Sequence, residues 1–219
     1  MPPEALCFDV GANIGNRTKI FLALGARVVA IEPQDDCLAF LRSTYGAEPR
    51  LTILENVLGA TEGVAELMIS EVNTLSTLSR EWVDSVQVSG RFSGHTWRRK
   101  KMVRMTTLDR LIKQFGVPSF VKIDVEGFES EVIKGLSRPL QALSIEFAPE
   151  GRAGTIASIE HLAALGPIEL NYSREESFRM ALDTWISREK MIEYLNAFKN
   201  DTSVFGDVYV RSVRSAAAK

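Results

Sequence analysis

The sequence has little of what several classes of protein need. Its 219 residues include only two cysteines, Cys7 and Cys37, and both lie among apolar residues, so we interpret them as small buried side chains rather than a disulfide or ligand pair. No apolar run reaches the about 18 residues that a membrane span needs. The first residues lack the basic and apolar regions of a signal peptide. We therefore expect a cytoplasmic protein that does not associate with membranes.

The sequence also lacks a large excess of charge of either sign. The formal net charge is −2, which argues against a polycation that binds nucleic acid over its whole surface. Hydrophobic residues make up 45% and charged residues 25% of the chain, the balance of an ordinary globular protein. We predict one domain over residues 1–214, followed by a frayed tail at residues 215–219.

What the sequence does have is a regular alternation of strand and helix patterns. Short apolar runs predict strands at Leu6–Val10, Arg27–Glu32, Leu51–Glu55, Val64–Ile69, Lys101–Met105, Phe120–Asp124, Ala142–Phe147, Ile168–Tyr172 and Asp207–Arg211. Helical patterns occur at Thr18–Leu24, Asp35–Tyr45, Thr107–Phe115, Glu129–Leu136, Thr155–Leu165 and Arg188–Phe198. Continuously apolar strands alternating with helices predict a doubly wound α/β fold with a mainly parallel sheet.

The sharpest local signal is the run Phe8–Asn16, FDVGANIGN, between the first strand and the first helix. Gly11 and Gly15 allow a tight turn that lies close to a ligand, and the helix N-terminus behind them attracts a carboxylate. Glu32 ends the next strand, 23 residues after Asp9, where it can accept hydrogen bonds from both ribose hydroxyls. The combination predicts a nucleoside ligand. The alternatives are an ordinary tight turn and a solvated carboxylate.

The same run discriminates between nucleoside cofactors. A dinucleotide fingerprint has three glycines, G-x-G-x-x-G, whereas this loop has Gly11-x-x-x-Gly15, and no phosphate-binding P-loop occurs. Asp9 precedes the loop, where it would repel a pyrophosphate but attract an ammonium group. S-adenosylmethionine carries an ammonium and a carboxylate but no phosphate. We predict that this cofactor is bound by Asp9, Gly11, Asn13, Gly15, Glu32, Pro33, Asn56, Val57 and Asp124.

Several stretches of the chain resemble the FkbM family of methyltransferases. The matching stretches are residues 8–15 (FDVGANIG), 30–33 (AIEP), 56–59 (NVLG), 107–109 (TLD) and 121–129 (VKIDVEGFE). The last resembles the family's K-I-D-V-E-G-x-E block, and the likeness extends over about residues 6–150. The resemblance implies a Rossmann-like class I methyltransferase fold with seven strands and, usually, O-methylation. Because family members act on varied hydroxyls, including macrolide and saccharide ones, the acceptor does not carry over.

Acidic residues follow the strand that ends at Asp124. A hydroxyl is a poor nucleophile, so a general base assists its methylation, and Asp124 is the best-placed candidate. Glu126 is expected at the same end of this strand. Alternatively, its negative charge could stabilise the N-terminus of the next helix. His95, in a flexible loop with aromatic neighbours, is a third catalytic candidate. Asp124 and Glu126, with Glu146 or Asn73, are also compatible with a divalent cation, but we expect no metal because no third ligand is clear.

The segment 73–104 differs from the rest of the chain in charge and pattern. It carries seven basic and two acidic side chains, a net +5, whereas the remaining residues carry −7. Since few residues precede the first strand, we expect this segment to form an internal, mobile lid that selects an anionic or highly polar hydroxylated substrate. The substrate-binding residues that we predict are Asn73, Ser76, Arg98, Arg99 and Glu126. A solvated loop or a charged sheet edge is the alternative.

These observations predict an S-adenosylmethionine-dependent O-methyltransferase that acts on a saccharide or another polar small molecule. A nucleic-acid methyltransferase is one alternative, which would use the basic segment. The negative net charge argues against it, and so does the lack of an Asn/Asp-Pro-Pro-Tyr/Phe motif after the Asp124 strand, so we expect no nucleic-acid partner. A non-catalytic relic that binds the cofactor is the other alternative. The sequence leaves the acceptor and the oligomeric state open.

Overall fold

The computed structural model describes residues 2, 4–175, 177, 179–198, 201 and 203–213. The strands along this part of the chain are β1 (Leu6–Val10), β2 (Arg27–Ile31), β3 (Leu51–Leu54), β4 (Val57–Leu58), β5 (Gly63–Ile69), β6 (Arg99–Thr106), β7 (Phe120–Ile123), β8 (Ala142–Phe147), β9 (Ile168–Arg174) and β10 (Gly206–Ser212). The helices are α1 (Asn16–Ala23), α2 (Asp35–Tyr45), α3 (Arg80–Ser89), α4 (Leu108–Phe115), α5 (Glu129–Lys134), α6 (Arg152–Leu165) and α7 (Arg188–Ala197).

Seven of these strands form one sheet in the order β3-β2-β1-β7-β8-β10-β9. The pairs β2–β3, β1–β2, β1–β7 and β7–β8 are parallel, whereas β10 is antiparallel to both of its neighbours. The doubly wound, mainly parallel, seven-stranded sheet expected from the sequence is thus confirmed. The interior strand β1 is buried at all five positions, as expected for a strand between two helical layers.

The main hydrophobic cluster surrounds the middle of this sheet. Phe8 of β1, Ile123 of β7 and Ile145 of β8 are completely inaccessible to solvent, and Leu58 and Leu108 from the region between β3 and β7 join them. Each such side chain stabilises the fold by about 1.5–3 kcal/mol relative to exposure. The carboxyl ends of β1 and β7 are therefore held rigidly side by side.

A smaller sheet is inserted between β3 and β7. Its strand order is β4-β6-β5, with β6 parallel to β4 and antiparallel to β5. The strand expected at Lys101–Met105 is present as part of β6, so the last residues of the segment 73–104 belong to the middle strand of this sheet. The strand expected at Val64–Ile69 is present as β5, but it belongs to this sheet and not to the main one.

The remainder of the segment 73–104 contains a helix that the sequence analysis did not predict. Helix α3 begins after Ser79, whose Oγ accepts a hydrogen bond from the Trp82 backbone N–H at 3.1 Å, and it ends at Gly90, which has a left-handed φ of 76°. Its inner face buries Trp82 and Val86 in a separate small cluster with Leu75. The tail expected at residues 215–219 lies outside the described residues. Within those described, no helix combines the length and apolar character needed to cross a bilayer.

Candidate active site

The candidate site lies at the carboxyl ends of β1, β2 and β7. The order of strands reverses direction at β1, since β2 and β3 lie on one side of it and β7 and β8 on the other. Ligands of open α/β sheets bind in the crevice that forms at such a point. A cavity with about 660 Å³ of empty space occupies this crevice, and we name it the donor cavity. The residues that line it include Gly11, Asn13, Glu32, Pro33, Gln34, Asn56, Val57, Asn73, Ser76, Asp124, Glu126 and Phe128.

The glycine loop forms the floor of the donor cavity. Gly11 has φ 78°, and its backbone N–H donates to the Ile31 carbonyl at 3.0 Å, which ties the loop to β2. A Cβ atom at Gly11 would lie 1.8 Å from the Asp124 carbonyl oxygen, so only glycine lets the two turns approach this closely. Gly15 has φ 87° and caps helix α1, but it is not part of the lining, so its role is conformational.

Glu32 connects the glycine loop to the turn after β2. Its Oε2 accepts from the Asn13 backbone N–H and its Oε1 from the Gln34 backbone N–H, each at 2.8 Å. Burial raises the pKa of Glu32, although these two hydrogen bonds oppose the shift. Since each carboxylate oxygen keeps a free lone pair, Glu32 can also accept hydrogen bonds from a ligand in the cavity.

Asp9 differs from the expectation that it contacts the ligand. Its side chain is completely buried, and its Oδ2 accepts from the Thr18 hydroxyl of α1 at 2.6 Å. Its Oδ1 has no hydrogen-bond partner among the described residues, and burial raises its pKa. Because side chains alternate along a strand, Asp9 points towards α1 whereas Val10 lines the cavity. The structure thus supports a positioning role for Asp9 at the start of α1.

A group of carboxyl side chains closes the far end of the donor cavity. Asp124, Glu126 and Glu146 each place an oxygen within 4.8 Å of the other two. Lys122, which is buried on β7, contacts Asp124 as an ion pair, and Glu129 lies beneath the turn that carries Glu126. Three such carboxylates are also a possible divalent-cation site. The Lys122 ammonium opposes a cation there by charge repulsion.

The members of this acidic group differ in their pKa values. Burial raises the pKa of Glu126 and of Glu146 well above the ordinary value, and the negative charge of Asp124 adds to both shifts. Asp124 is also buried, but the Lys122 ammonium and a hydrogen bond with Glu146 outweigh this effect and lower its pKa. The group therefore contains one stable carboxylate, Asp124, next to two carboxyl groups whose pKa values are raised.

The turn after β7 is held in an unusual conformation. Glu126 has φ 53°, in the left-handed region that non-glycine residues rarely adopt, and its carbonyl accepts from the Thr77 hydroxyl at 2.6 Å. The Glu129 carboxylate accepts from the backbone N–H groups of Val125 at 3.0 Å and Gly127 at 3.2 Å. Backbone strain of this kind is common at functional sites. Here it directs the Glu126 side chain to the end of the donor cavity.

Glu126 also lines a second cavity, which we name the acceptor cavity. It contains about 950 Å³ of empty space on the other side of the turn after β7. Its walls include the side chains of Trp82, Arg91, Phe92, Glu126, Glu129, Glu146, Glu150 and Phe205. The sequence analysis considered Glu146 as a possible metal ligand only, and it did not predict Arg91, Glu150 or Phe205. These residues come from distant parts of the chain, and no local motif marks them.

Three of the predicted site residues line neither the donor cavity nor the acceptor cavity. They are His95, Arg98 and Arg99. The His95 ring packs edge-on against Phe92, with centroids 6.3 Å apart, and His95 is in the lining of neither cavity. Arg98 and Arg99 are exposed and line a separate hollow with Asp35 and other residues near the start of α2. Their positions follow from β6, which carries the basic run along the smaller sheet and away from the acceptor cavity. Lys101 of the basic run reaches the edge of the donor cavity, because its Nζ donates at 2.9 Å to the carbonyl of Pro33, which lines that cavity.

The donor cavity fits a nucleoside ligand. Glu32 and Asn13 present polar groups at one side, and Ile31, Val57 and Phe128 form apolar walls that can enclose a base. The close approach of Gly11 to Asp124 leaves the loop floor free of side chains. The residues predicted for the cofactor are therefore brought together, apart from Asp9 and Gly15.

Comparison with known proteins agrees with this geometry. The family model described as the methyltransferase FkbM domain matches residues 9–181. A hexuronic acid methyltransferase, AglP of Haloferax volcanii, is 26% identical over 143 residues, which are 64% of this chain and 54% of the relative. The chain thus spans about half the length of this curated relative.

Solved structures share the fold at low sequence identity. A precorrin-6Y C5,15-methyltransferase from Geobacter metallireducens is 10% identical, with a TM-score of 0.50 over 97% of this chain and 82% of that one. A TehB-like SAM-dependent methyltransferase from Corynebacterium glutamicum is 11% identical, with a TM-score of 0.46 over 97% and 83% of the two chains.

Proposed function

The chain belongs to the FkbM methyltransferase family, and on this premise we propose that it methylates an oxygen atom of a saccharide or another polar small molecule. S-adenosylmethionine is its cofactor. The observation that carries the proposal is the position of Glu126 on both cavities, because a group at that boundary can reach an acceptor next to the methyl donor. The saccharide class is supported by the hexuronic acid methyltransferase to which the chain is similar.

The donor cavity supplies the contacts that S-adenosylmethionine needs. Glu32 would accept hydrogen bonds from the ribose hydroxyls, and Val57 and Asn56 would contact the adenine. The N-terminus of α1, behind the glycine loop, favours the negative charge of the methionine carboxylate. When bound, the cofactor supplies an electrophilic methyl group attached to a sulfonium, which is already a good leaving group. The protein then has mainly to align the acceptor oxygen and remove its proton.

Glu126 is the residue that we propose as general base. Burial and the charge of Asp124 raise its pKa, so its ionised form is a stronger base than an ordinary carboxylate. Asp124 was the first candidate on sequence grounds, but its ion pair with Lys122 lowers its pKa and makes it a weaker base. We therefore assign Asp124 the role of a fixed negative charge that orients Glu146 and raises the pKa of Glu126.

The test compares Glu126→Gln with a matched control on the neighbouring helix. Glu131 of α5 pairs with Lys134 near the surface and lines neither cavity, so Glu131→Gln removes the same charge without touching the site. Methyl transfer from labelled S-adenosylmethionine is measured against a panel of glycosides, and binding of S-adenosylhomocysteine is measured by calorimetry. We expect Glu126→Gln to lower kcat by about 100-fold or more with unchanged cofactor affinity, and Glu131→Gln to change neither.

Two outcomes would contradict the proposal. Full kcat in Glu126→Gln would exclude Glu126 as the base. Binding of S-adenosylhomocysteine by the unsubstituted protein without transfer to any member of the panel would favour the non-catalytic alternative. Glu32→Ala should independently weaken cofactor binding by about 1.5–3 kcal/mol, because charged hydrogen bonds are lost. An unchanged affinity would remove Glu32 from the ribose site.

A further inference from the structure

The acceptor cavity has a charge that the sequence analysis did not foresee. Among the described residues that line it are four glutamates, Glu126, Glu129, Glu146 and Glu150, and one basic residue, Arg91. We propose that this cavity binds a neutral or cationic hydroxylated ring and discriminates against an anionic one. The inference rests on the proposed methyltransferase function and extends it by naming the charge class of the acceptor.

Arg91 does not offset this excess of carboxyl groups. Its guanidinium pairs with Glu150, with Nη1 3.3 Å from Oε2, and the exposed fractions of the two side chains are 15% and 4%. The same guanidinium lies over the rings of Phe205, at 4.9 Å, and Phe92, at 5.7 Å. An anionic ligand would have to compete with Glu150 for this cation. In the structure, Arg91 therefore forms part of one wall of the cavity and packs against two of its three aromatic rings.

The other basic residues of the segment 73–104 do not reach the cavity. Arg98 and Arg99 line a different hollow, and Lys101 is bound to Asp35 and Glu55 beside the donor cavity. These basic side chains of the segment therefore lie along β6 and next to the start of α2. The expectation of an anionic substrate required this positive charge to lie at the acceptor cavity, and these side chains are not part of its lining.

The carboxyl groups that remain suit a hydroxylated ligand. Burial raises the pKa of Glu129 to about 7 and the pKa of Glu126 and Glu146 well above the ordinary value, whereas Asp124 stays ionised. Protonated carboxyls donate hydrogen bonds and carboxylates accept them, so the group can pair with hydroxyls, which do both. An additional anion would be repelled by Asp124 and by any of these glutamates that is ionised, whereas an ammonium group would be attracted.

The experiment uses three probes that differ in charge but share a ring. Phenyl β-glucoside, phenyl β-glucosaminide and phenyl β-glucuronide are titrated into the protein saturated with S-adenosylhomocysteine, and saturation-transfer NMR measures their binding. We expect the glucuronide to bind at least about tenfold more weakly than the other two, which corresponds to about 1.4 kcal/mol. Because Glu150→Gln removes a carboxylate that neutralises Arg91, it should reduce this difference. Glu169→Gln, which breaks the surface pair with Arg211, should not.

A steric variant locates the binding. Gly151 lines the acceptor cavity, and a Cβ atom there would meet no other atom within 4 Å, so the first side-chain atom of Gly151→Phe is accommodated and we expect its ring to occupy part of the cavity. Gly63, at the start of β5, has equally open surroundings and lines neither cavity, so Gly63→Phe is the matched control. We expect only Gly151→Phe to abolish binding of the glucoside and the glucosaminide.

Each other outcome overturns the inference. If the glucuronide binds as tightly as the neutral probe or more tightly, the charge preference is wrong. If no probe binds, or if Gly151→Phe leaves binding intact, the acceptor cavity is not a site for such rings. Calorimetry separates these results from failure of the proposed function. Intact S-adenosylhomocysteine binding with a reversed charge order rejects only this inference, whereas lack of S-adenosylhomocysteine binding rejects both.

Discussion

Replacement of Gly11 by alanine tests whether the loop and the turn after β7 form one rigid unit. At this position φ is 78°, and a Cβ atom would lie 1.8 Å from the carbonyl oxygen of Asp124. Gly25, in the turn between α1 and β2, has a similar φ of 82°, but a Cβ atom there would meet nothing within 4 Å. The two substitutions therefore share the conformational strain and differ in the steric clash alone.

The expected magnitudes follow from these distances. An alanine in the left-handed region costs about 1–2 kcal/mol, and the loss of unfolded-state entropy returns about 0.4–1 kcal/mol. Gly25→Ala should thus destabilise the protein by about 0–1.6 kcal/mol. Real Cβ atoms essentially never lie closer than 3.0 Å to a non-bonded heavy atom. At Gly11 the contact would be 1.8 Å, so the backbone must move by at least 1.2 Å. Because both turns are fixed by buried strands, we expect a loss of more than about 4 kcal/mol.

Urea unfolding and calorimetry provide the measurements. The free energy of unfolding of Gly11→Ala should fall far below that of Gly25→Ala. Any folded fraction should bind S-adenosylhomocysteine at least about 100-fold more weakly, because a displacement of about 1 Å at a site has effects of this size. Equal stabilities of the two variants, with cofactor affinity retained in Gly11→Ala, would show that the close approach to Asp124 is not required. The rigid floor of the donor cavity would then be a wrong inference.

Three further predictions concern charges around the site. The pKa of Glu129 is raised to about 7, so the folded protein should lose stability as the pH rises from about 5 to 8. Glu129→Gln keeps an acceptor oxygen for the turn. In urea unfolding it should flatten the dependence of stability on pH and stabilise the protein at pH 8 by about 2–3 kcal/mol. An unchanged pH dependence would contradict the raised pKa of Glu129. Chelators should leave methyl transfer intact, since Lys122 already neutralises Asp124, and activity restored only by Mg²⁺ would show a metal site. Arg98→Ser with Arg99→Ser should leave the KM of the acceptor unchanged, whereas a raised KM would place the acceptor at the hollow that these arginines line.

The parts of the fold that were predictable are those with a strong local pattern. Strands β1 and β7 are mainly apolar runs, each with one charged residue, that end at glycine or acidic residues, and such runs are typical of buried parallel strands in a doubly wound sheet. Glu32 and the glycine loop were predictable together, because the carboxyl ends of neighbouring parallel strands meet at one edge. Their contact is direct, since the Asn13 backbone N–H donates to Glu32.

Long-range pairing explains most of what the sequence analysis missed. Strand β4 is only two residues long and exists because β6, more than 40 residues later, pairs with it. The buried face of α3 consists of Trp82, Val83 and Val86, too few positions to stand out from the polar residues around them. The acceptor cavity combines residues from α3, the turn after β7, the end of β8 and the start of β10, and no spacing in the chain predicts that combination.

The alternation of side chains explains the different role of Asp9. A carboxylate next to a glycine loop is chemically suited to an ammonium group, but the side chain of a strand residue points to one face only. Asp9 points to the face covered by α1, where Thr18 binds it, and the adjacent position, Val10, lines the donor cavity. A difference of one residue along β1 thus separates a position in the cavity lining from a buried position next to α1.

Lys122 links the stability of the sheet to the chemistry of the site. It is buried on β7 directly opposite Asp9 of β1, and the charges of Asp124, Asp9 and Asp207, which lie at or near three different strands, all raise its pKa. A buried ammonium is tolerated only with such partners, because its desolvation is costly. The same ammonium keeps Asp124 ionised, and the charge of Asp124 in turn raises the pKa values of Glu126 and Glu146. The proton affinity of the proposed base thus depends first on burial and then on the charge of Asp124, which an ion pair within the core of the sheet keeps ionised.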